Sequence, residues 1–315
     1  MRALIARRLA ALVPILLLVS FGVFLLVSLV PGDAAVTLAG GENATPESIA
    51  HVRAELHLNE PIVDQYGRWV SHAARLDFGK SLEDGASVSR ALRSRIPVTL
   101  GLVIAATIVS LLVGVPLGIV SGLRPGGSAD RASRLTASLG VAIPNFWLAV
   151  VLVAVFAVHY HLLPPSGYVA LTDSLTGWVR HMALPAIALG LASAAALARQ
   201  LRAELVDVLD ATYIRTAWAK GAGARLVVGK HALKNAAIPA VTILGLQIGY
   251  LLGGAVIVEQ IFALPGLGTY FIRGVLSSDL PVIQGVTVVF VLGQLVMSLL
   301  VDMSYGLLNP KVRVH

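Results

Sequence analysis

Six long stretches without a single Asp, Glu, Lys, Arg or His run through this 315-residue sequence: residues 9–32, 96–123, 135–158, 182–198, 235–258 and 280–301. The hydrocarbon core of a bilayer is about 30 Å thick, and a helix needs about 20 apolar residues, with roughly 17 as the lower limit, to cross it. Within that layer each backbone N–H and C=O must find its partner inside the segment, so every such run has to be helical. The expected fold is therefore an all-α polytopic membrane protein with six transmembrane helices. A charged fraction of 13% agrees, since soluble domains carry about 25%, and a water-soluble enzyme is excluded. The first run exceeds the roughly 7–15 residues of a signal-peptide core and no small-x-small cleavage site follows it, so it reads as a retained span.

Orientation follows from where the cations fall, because short cytoplasmic connections are enriched in Lys and Arg. Arg2, Arg7 and Arg8 precede the first span, and Arg124, Arg131 and Arg134 lie between the second and third. Arg199, Arg202, Arg215, Lys220, Arg225, Lys230 and Lys234 lie between the fourth and fifth, and Lys311 and Arg313 follow the last. The short connections on the other side hold one each, Arg180 and Arg273. Both termini are expected in the cytoplasm. The organisation reads as a cytoplasmic N-terminus and first span over 1–30, an extracytoplasmic mixed segment over 31–95, a five-helix transmembrane domain over 96–308 with a cytoplasmic loop at 199–236, and a tail at 309–315. In the external segment Thr45-Pro46-Glu47 has the form of a helix start, with Ile49, Val52 and Leu56 following at helical spacing.

Several chemistries drop out. A net charge of +7 would suit nucleic-acid binding in a soluble chain, but the cations here are divided by apolar spans and form no continuous face. The absence of cysteine removes thiolate metal sites, disulfides and a cysteine nucleophile. Gly79-Lys80-Ser81 resembles the end of a phosphate-binding loop, yet Ala74 stands where the pattern needs its first Gly, so no ATP site is expected in this chain. The spans hold no carboxylate or histidine of the kind a proton-coupled carrier would place at the bilayer midplane. An ion-gradient-driven carrier is thus the weaker alternative. His159 and His161 have no carboxylate beside them and make neither a metal site nor a hydrolase centre; with Glu259 and Asp302 they read as interfacial anchors. The polar neutral residues Asn145 and Gln247, with Tyr250, are the candidates for lining a pathway.

Two glycine stripes and one loop carry more specific information. Gly114, Gly118 and Gly122 in the second span, and Gly245, Gly249 and Gly253 in the fifth, recur every four residues and make flat faces on which helix backbones can approach closely. Such a face serves either a moving or subunit-contacting helix or packing within the chain. The 199–236 loop reads as two short helices, with Leu205, Val208 and Leu209 in the first and Leu226, Lys230 and Leu233 in the second, broken at Gly221 and Gly223. Ala217, Ala219 and Ala222 beside the break would let another protein's surface come close. This is the form of a docking knob.

At this loop the chain resembles the inner-membrane permease subunits of type I ABC importers, in their dipeptide/oligopeptide branch. Arg215-Thr216-Ala217 stands where that family's signature opens with Glu-Ala-Ala, Gly221 follows at the family's spacing, and Pro239 precedes the next span. Lys220-Gly221 and His231-Ala232-Leu233-Lys234-Asn235 resemble the peptide branch. So do Val30-Pro31-Gly32-Asp33, Pro144-Asn145-Phe146-Trp147, Leu163-Pro164-Pro165-Ser166-Gly167, Val258-Glu259, Pro265-Gly266-Leu267-Gly268, Asp279-x-Pro281 and Gly285. The resemblance implies a non-catalytic permease of a prokaryotic cytoplasmic (inner) membrane. Tyr213, Arg215, Thr216, Ala217, Lys220, Gly221, Ala222, His231, Asn235 and Pro239 would form its ATPase-coupling loop. It also implies a second, related permease, one or two cytoplasmic ABC ATPases that bind ATP and Mg, and an extracytoplasmic peptide-binding protein. This chain itself would bind no cofactor. The expected cargo is a di- or oligopeptide, with nickel chelates or glutathione as alternatives on the same architecture.

Overall fold

A computed structural model describes residues 13–25, 36, 44–55 and 59–308. Arg2, Arg7, Arg8, Val30–Asp33, Leu56, Lys311 and Arg313, and the side chains of Val52 and Asp302, lie outside what it describes. In chain order the helices are α1 (Val13–Leu25), α2 (Pro46–Glu55), α3 (Ile62–Ala73), α4 (Val88–Leu123), α5 (Ser128–Ala142), α6 (Asn145–His159), α7 (Leu175–Asp210), α8 (Thr212–Ala219), α9 (Leu233–Ile261), α10 (Leu267–Leu276) and α11 (Leu280–Leu308). The last turns of α6, Val153–His159, and the stretch Val227–Ala232 that leads into α9 are wound as π-helix. Helices long and apolar enough to cross a membrane are Val88–Leu123, Leu175–Asp210, Pro239–Ile261 and Leu280–Val301.

The charge-free run at 135–158 is not one straight helix. It is divided between α5 and α6, which meet at 100° across Ile143 and Pro144. The ring of a proline crowds the residue before it out of the helical region, and Ile143 sits extended at φ −79°, ψ 121°. Helix boundaries differ from charge boundaries elsewhere too. α4 begins at Val88 and so includes Arg90, Arg93 and Arg95, and it runs through Pro97 and Pro116 without interruption. α7 continues through Arg199 and Arg202 to Asp210, so the loop expected from residue 199 starts only after α7 ends.

The described residues divide into two compact units: Thr99–Leu264 with residues 294–308, and the described residues up to Val98 with Pro265–Gly293. In the first unit α4 lies against α7 through small residues. A Cβ added at Gly114 would stand 2.6 Å from the Ala194 carbonyl oxygen, one at Gly118 2.9 Å from that of Ala198, and one at Gly122 2.9 Å from the Leu205 side chain. Gly190 on α7 meets the Ala106 carbonyl in the same way. Midway the Ser110 hydroxyl lies 3.2 Å from that of Ser193. Numbers on both helices rise together along this contact, so α4 and α7 run parallel. By the same reasoning α9 runs antiparallel to α11, since Gly245 faces Val301 and Gly249 faces Gln294.

In the second unit, α2 opens as its sequence signals. The Thr45 hydroxyl accepts from the Ser48 N–H at 3.2 Å while the Ser48 hydroxyl accepts from the Thr45 N–H at 3.0 Å, with Pro46 in the first turn. Tyr66 and Trp69 of α3 pack beside Phe21 and Phe24 of α1, and the Tyr66 hydroxyl donates to the Leu17 carbonyl at 2.8 Å. Phe78, Val88, Leu92, Leu267, Tyr270, Val282 and Val286 form the core. The loop before α4 carries one antiparallel bridge, Lys80 to Ser87. It is held by Asp279, which is buried and accepts from the Ser81 hydroxyl at 2.5 Å and the Leu82 N–H at 3.0 Å. Arg273 adds a two-pronged pair with Glu83 at 2.8 and 3.0 Å. These bonds hold the Glu83 carboxyl below the ordinary glutamate range.

Candidate functional site

Between α7 and α9 the chain forms a compact helical turn whose short helix is anchored by one buried side chain. Ala211 breaks α7, extended at φ −65°, ψ 144°, and α8 starts at Thr212. Ile214 on α8 is fully buried in a cluster with Leu197, Leu201, Leu205, Val227, Ala232 and Ala236, which fastens this turn to the ends of α7 and α9. Around that anchor Tyr213, Arg215, Thr216, Trp218 and Lys220 are exposed.

Gly221 closes α8 for a conformational reason. Its φ is +78°, a region costly for residues with a Cβ. The Gly221 N–H donates to the Trp218 carbonyl at 2.9 Å and the Ala222 N–H to the Ala217 carbonyl at 3.2 Å, the paired bonds of a Schellman cap. Gly223 has no such demand: its φ is −66°, and it sits ahead of the next turn, Ala224–Leu226. Ala217 and Ala222 are half-buried and pack on the Ile214 cluster, so the close approach that their size permits is to this chain's own helices; Ala219 remains exposed. The return side is tied back by Asn235, whose Nδ2 donates to the Tyr213 hydroxyl at 3.0 Å and to the His231 carbonyl at 2.8 Å. Pro239 lies inside α9 and has no N–H to bond the carbonyl of Asn235 one turn earlier.

Of the pathway candidates, Asn145 at the start of α6 reaches the α9 backbone at Gly254, where an added Cβ would be 3.4 Å from its Nδ2. Gln247, Tyr250 and Gly254 share one face of α9 at helical spacing, and Tyr250 is 76% exposed. The glycine stripes resolve differently from one another. Gly114, Gly118 and Gly122 all serve packing within the chain, as do Gly245 and Gly249, whereas Gly253 has nothing within 4 Å of an added Cβ. Glu259 is not an interfacial anchor: it is fully buried and accepts from the Thr99 hydroxyl at 2.6 Å. A second buried group escaped sequence reasoning altogether. Asp130 in the first turn of α5 is paired with Arg202 of α7, a residue 72 positions away. The available signal was a lone acid in the otherwise basic stretch between Arg124 and Arg134.

Comparison with known proteins matches residues 114–314 to the binding-protein-dependent transport system inner membrane component family and residues 1–103 to the N-terminal region of such membrane components. A peptide transport system permease protein of Brucella abortus (strain 2308) is 39% identical over 313 residues, covering 99% of either chain. The glutathione transport system permease protein GsiC of Escherichia coli (strain K12) is 40% identical over 309 residues, covering 98% of either chain. Among solved structures, an inward-facing conformation of the MetNI methionine ABC transporter superposes with a TM-score of 0.56 at 19% identity, over 69% of this chain and 96% of the other. An amino acid ABC transporter solved with histidines gives 0.53 at 16% identity, over 68% and 92%.

Proposed function

Since the chain belongs to the family of binding-protein-dependent transport system inner membrane components, we propose that it is the permease subunit of an ATP-driven importer of small peptides whose ATPase seats on α8. The observation that carries this reading is the shape of α8. Ile214 anchors it from below, Arg215, Thr216, Trp218 and Lys220 remain exposed around that anchor, and a Gly221 cap ends it. A surface that must transmit force needs such a fixed base and an open front.

In this reading the α8 side of the membrane is the cytoplasm. α4 and α7 are parallel, so the bent α5–α6 pair returns the chain across the bilayer once, and with α1 and α11 the spans number six. The ends of α4, α7 and α11 and the start of α9 then share one side with Arg124, Arg131, Arg199, Lys220, Lys230 and Lys234, as the positive-inside rule requires. Both termini are cytoplasmic, and the segment from 31 to 95 faces an extracytoplasmic peptide-binding protein. ATP and Mg are bound by one or two separate ATPase subunits. A second, related permease completes the pathway, to which Asn145, Gln247 and Tyr250 contribute from the α6 and α9 faces.

The cargo class rests on the relatives. The Brucella abortus relative is named for peptide transport and the Escherichia coli relative for glutathione, itself a tripeptide. Uptake of a labelled dipeptide by cells expressing the chain with its neighbouring subunits tests the whole reading. Uptake should persist when a protonophore collapses the ion gradient while ATP stays high; its loss there would restore the gradient-driven alternative. Competition by unlabelled glutathione separates the two cargoes.

A further inference from the structure

Asp130 has no solvent exposure, and its carboxylate is met from three directions. Arg202 of α7 donates through Nε to Oδ1 at 2.6 Å and through Nη2 to Oδ2 at 3.0 Å, the fork-to-carboxylate match that fixes angle as well as distance. The Ser121 hydroxyl, near the end of α4, donates to Oδ1. The N–H of Gly126, held at φ +81° in the turn between α4 and α5, donates to Oδ2 at 2.8 Å. Arg134 adds its charge one turn further along α5, at 3.6 Å, and the position in the first turn lets the α5 dipole favour the anion. Ser133 ties the same two helices again, its hydroxyl donating to the Leu117 carbonyl at 3.3 Å. Farther along, Gly140 of α5 lies against Ala195 of α7.

Arg199, one turn earlier on α7, is exposed, so the pairing with Asp130 singles out Arg202. It lies about two turns from the end of α7, and one residue, Ala211, separates α7 from α8. A rotation or slide of α7 against α4 and α5 would have to break the fork and leave a buried carboxylate with Ser121, Gly126 and the more distant charge of Arg134. Displacement of α8 therefore reaches α4 and α5 through this junction before α7 can bend independently of them.

We propose that Asp130, with Arg202 and Ser121, is a positioning joint for transport, making the adjoining ends of α4 and α5 move as one body with α7 and α8. This inference rests on the reading of α8 as the ATPase-contacting element. The three residues act by holding the helices that α8 drives.

The sequence has no natural cysteine, so spin labels can be placed at Ala132→Cys on α5 and Lys230→Cys on the return side of the α8 turn. The full transporter in lipid nanodiscs is measured without nucleotide and trapped with ATP. The 132–230 distance should be the same in the two states for the wild-type background and should differ between them in Asp130→Asn. The same variant should raise the ATP hydrolysed per peptide imported by about fivefold or more. Arg202→Lys keeps the charge but cannot bridge both oxygens, and it should shift both readouts in the same direction even where Asp130→Asn fails to assemble. A distance that already changes in the wild type, or one that stays constant in both variants, overturns the joint. Co-purification of the ATPase with the wild-type chain is read separately: its absence refutes the reading of α8, whereas intact co-purification with unmoved distances refutes the joint alone.

Discussion

Replacement of Gly114 by Ala adds one carbon at a tight point between α4 and α7. The new Cβ would stand 2.6 Å from the Ala194 carbonyl oxygen, where contacts below 3.0 Å are essentially never seen, and 3.2 Å from the Leu197 Cβ. The obstacle is backbone, so no side chain can rotate away and the helices must part by about 0.4 Å at that level, close to the gap at which a packed contact loses a quarter of its dispersion energy. The parting spreads to the Gly118 contacts, at 2.9 Å. Overpacking of this kind costs about 1–3 kcal/mol, offset by up to about 1 kcal/mol of helix propensity. Gly253→Ala, with nothing within 4 Å, receives the propensity gain without the clash. Thermal unfolding of the two variants in mild detergent, followed by tryptophan fluorescence, should lower the midpoint for Gly114→Ala and leave it unchanged or raised for Gly253→Ala. Equal midpoints, or the reverse order, would refute the packing assignment.

Gly221→Val puts a β-branched residue at φ +78°, destabilising the α8 cap by roughly 1–2 kcal/mol or more; the chain should still reach the membrane while peptide uptake falls and ATP hydrolysis continues, as paired uptake and ATPase assays would register. Asp279→Ala removes a buried acceptor of the Ser81 hydroxyl and the Leu82 N–H, and should cost about 2 kcal/mol, seen as faster proteolysis between residues 77 and 87. The Glu83 carboxyl is held below its ordinary value of 4.5 by Arg273. A depressed folded-state value means that the pair stabilises above about pH 4.5 and is lost as the pH falls further. Wild type and Glu83→Gln should therefore differ in protease resistance of that loop at pH 7, and the difference should shrink as the pH is lowered below about 4.5.

What the residues announced and what they concealed have separate physical causes. Absence of charge is a one-dimensional property, so the apolar portions of α4, α7, α9 and α11 are legible directly. Where a helix continues past the apolar layer is not, because the same winding carries Arg90 and Arg202 as readily as Leu. The bend at Ile143 was signalled by Pro144 but hidden inside a run whose composition never changes. Gly221 could be read as a helix break because its role is local, while Gly223 looked equivalent and is not. The inward turn of Ala217 and Ala222 depends on Ile214, and spacing alone does not choose which face of an eight-residue helix meets the body of the protein. The Asp130–Arg202 pair joins residues on different helices, and no local pattern reports it. Gly253 continues the repeat of Gly245 and Gly249 yet meets no neighbour, a distinction that only the helix crossing creates.

Contact between α8 and the ATPase is tested most directly by site-specific crosslinking in the assembled transporter. The chain has no cysteine of its own, so Trp218→Cys at an exposed position of α8 and Leu276→Cys at the exposed end of α10, 82% exposed, can each carry a short crosslinker in native membranes. Trp218→Cys should capture an ATP-binding subunit, identified by mass spectrometry, and Leu276→Cys should not. Failure at Trp218, or equal capture from both positions, would contradict the assignment of α8 as the element through which ATP hydrolysis drives transport.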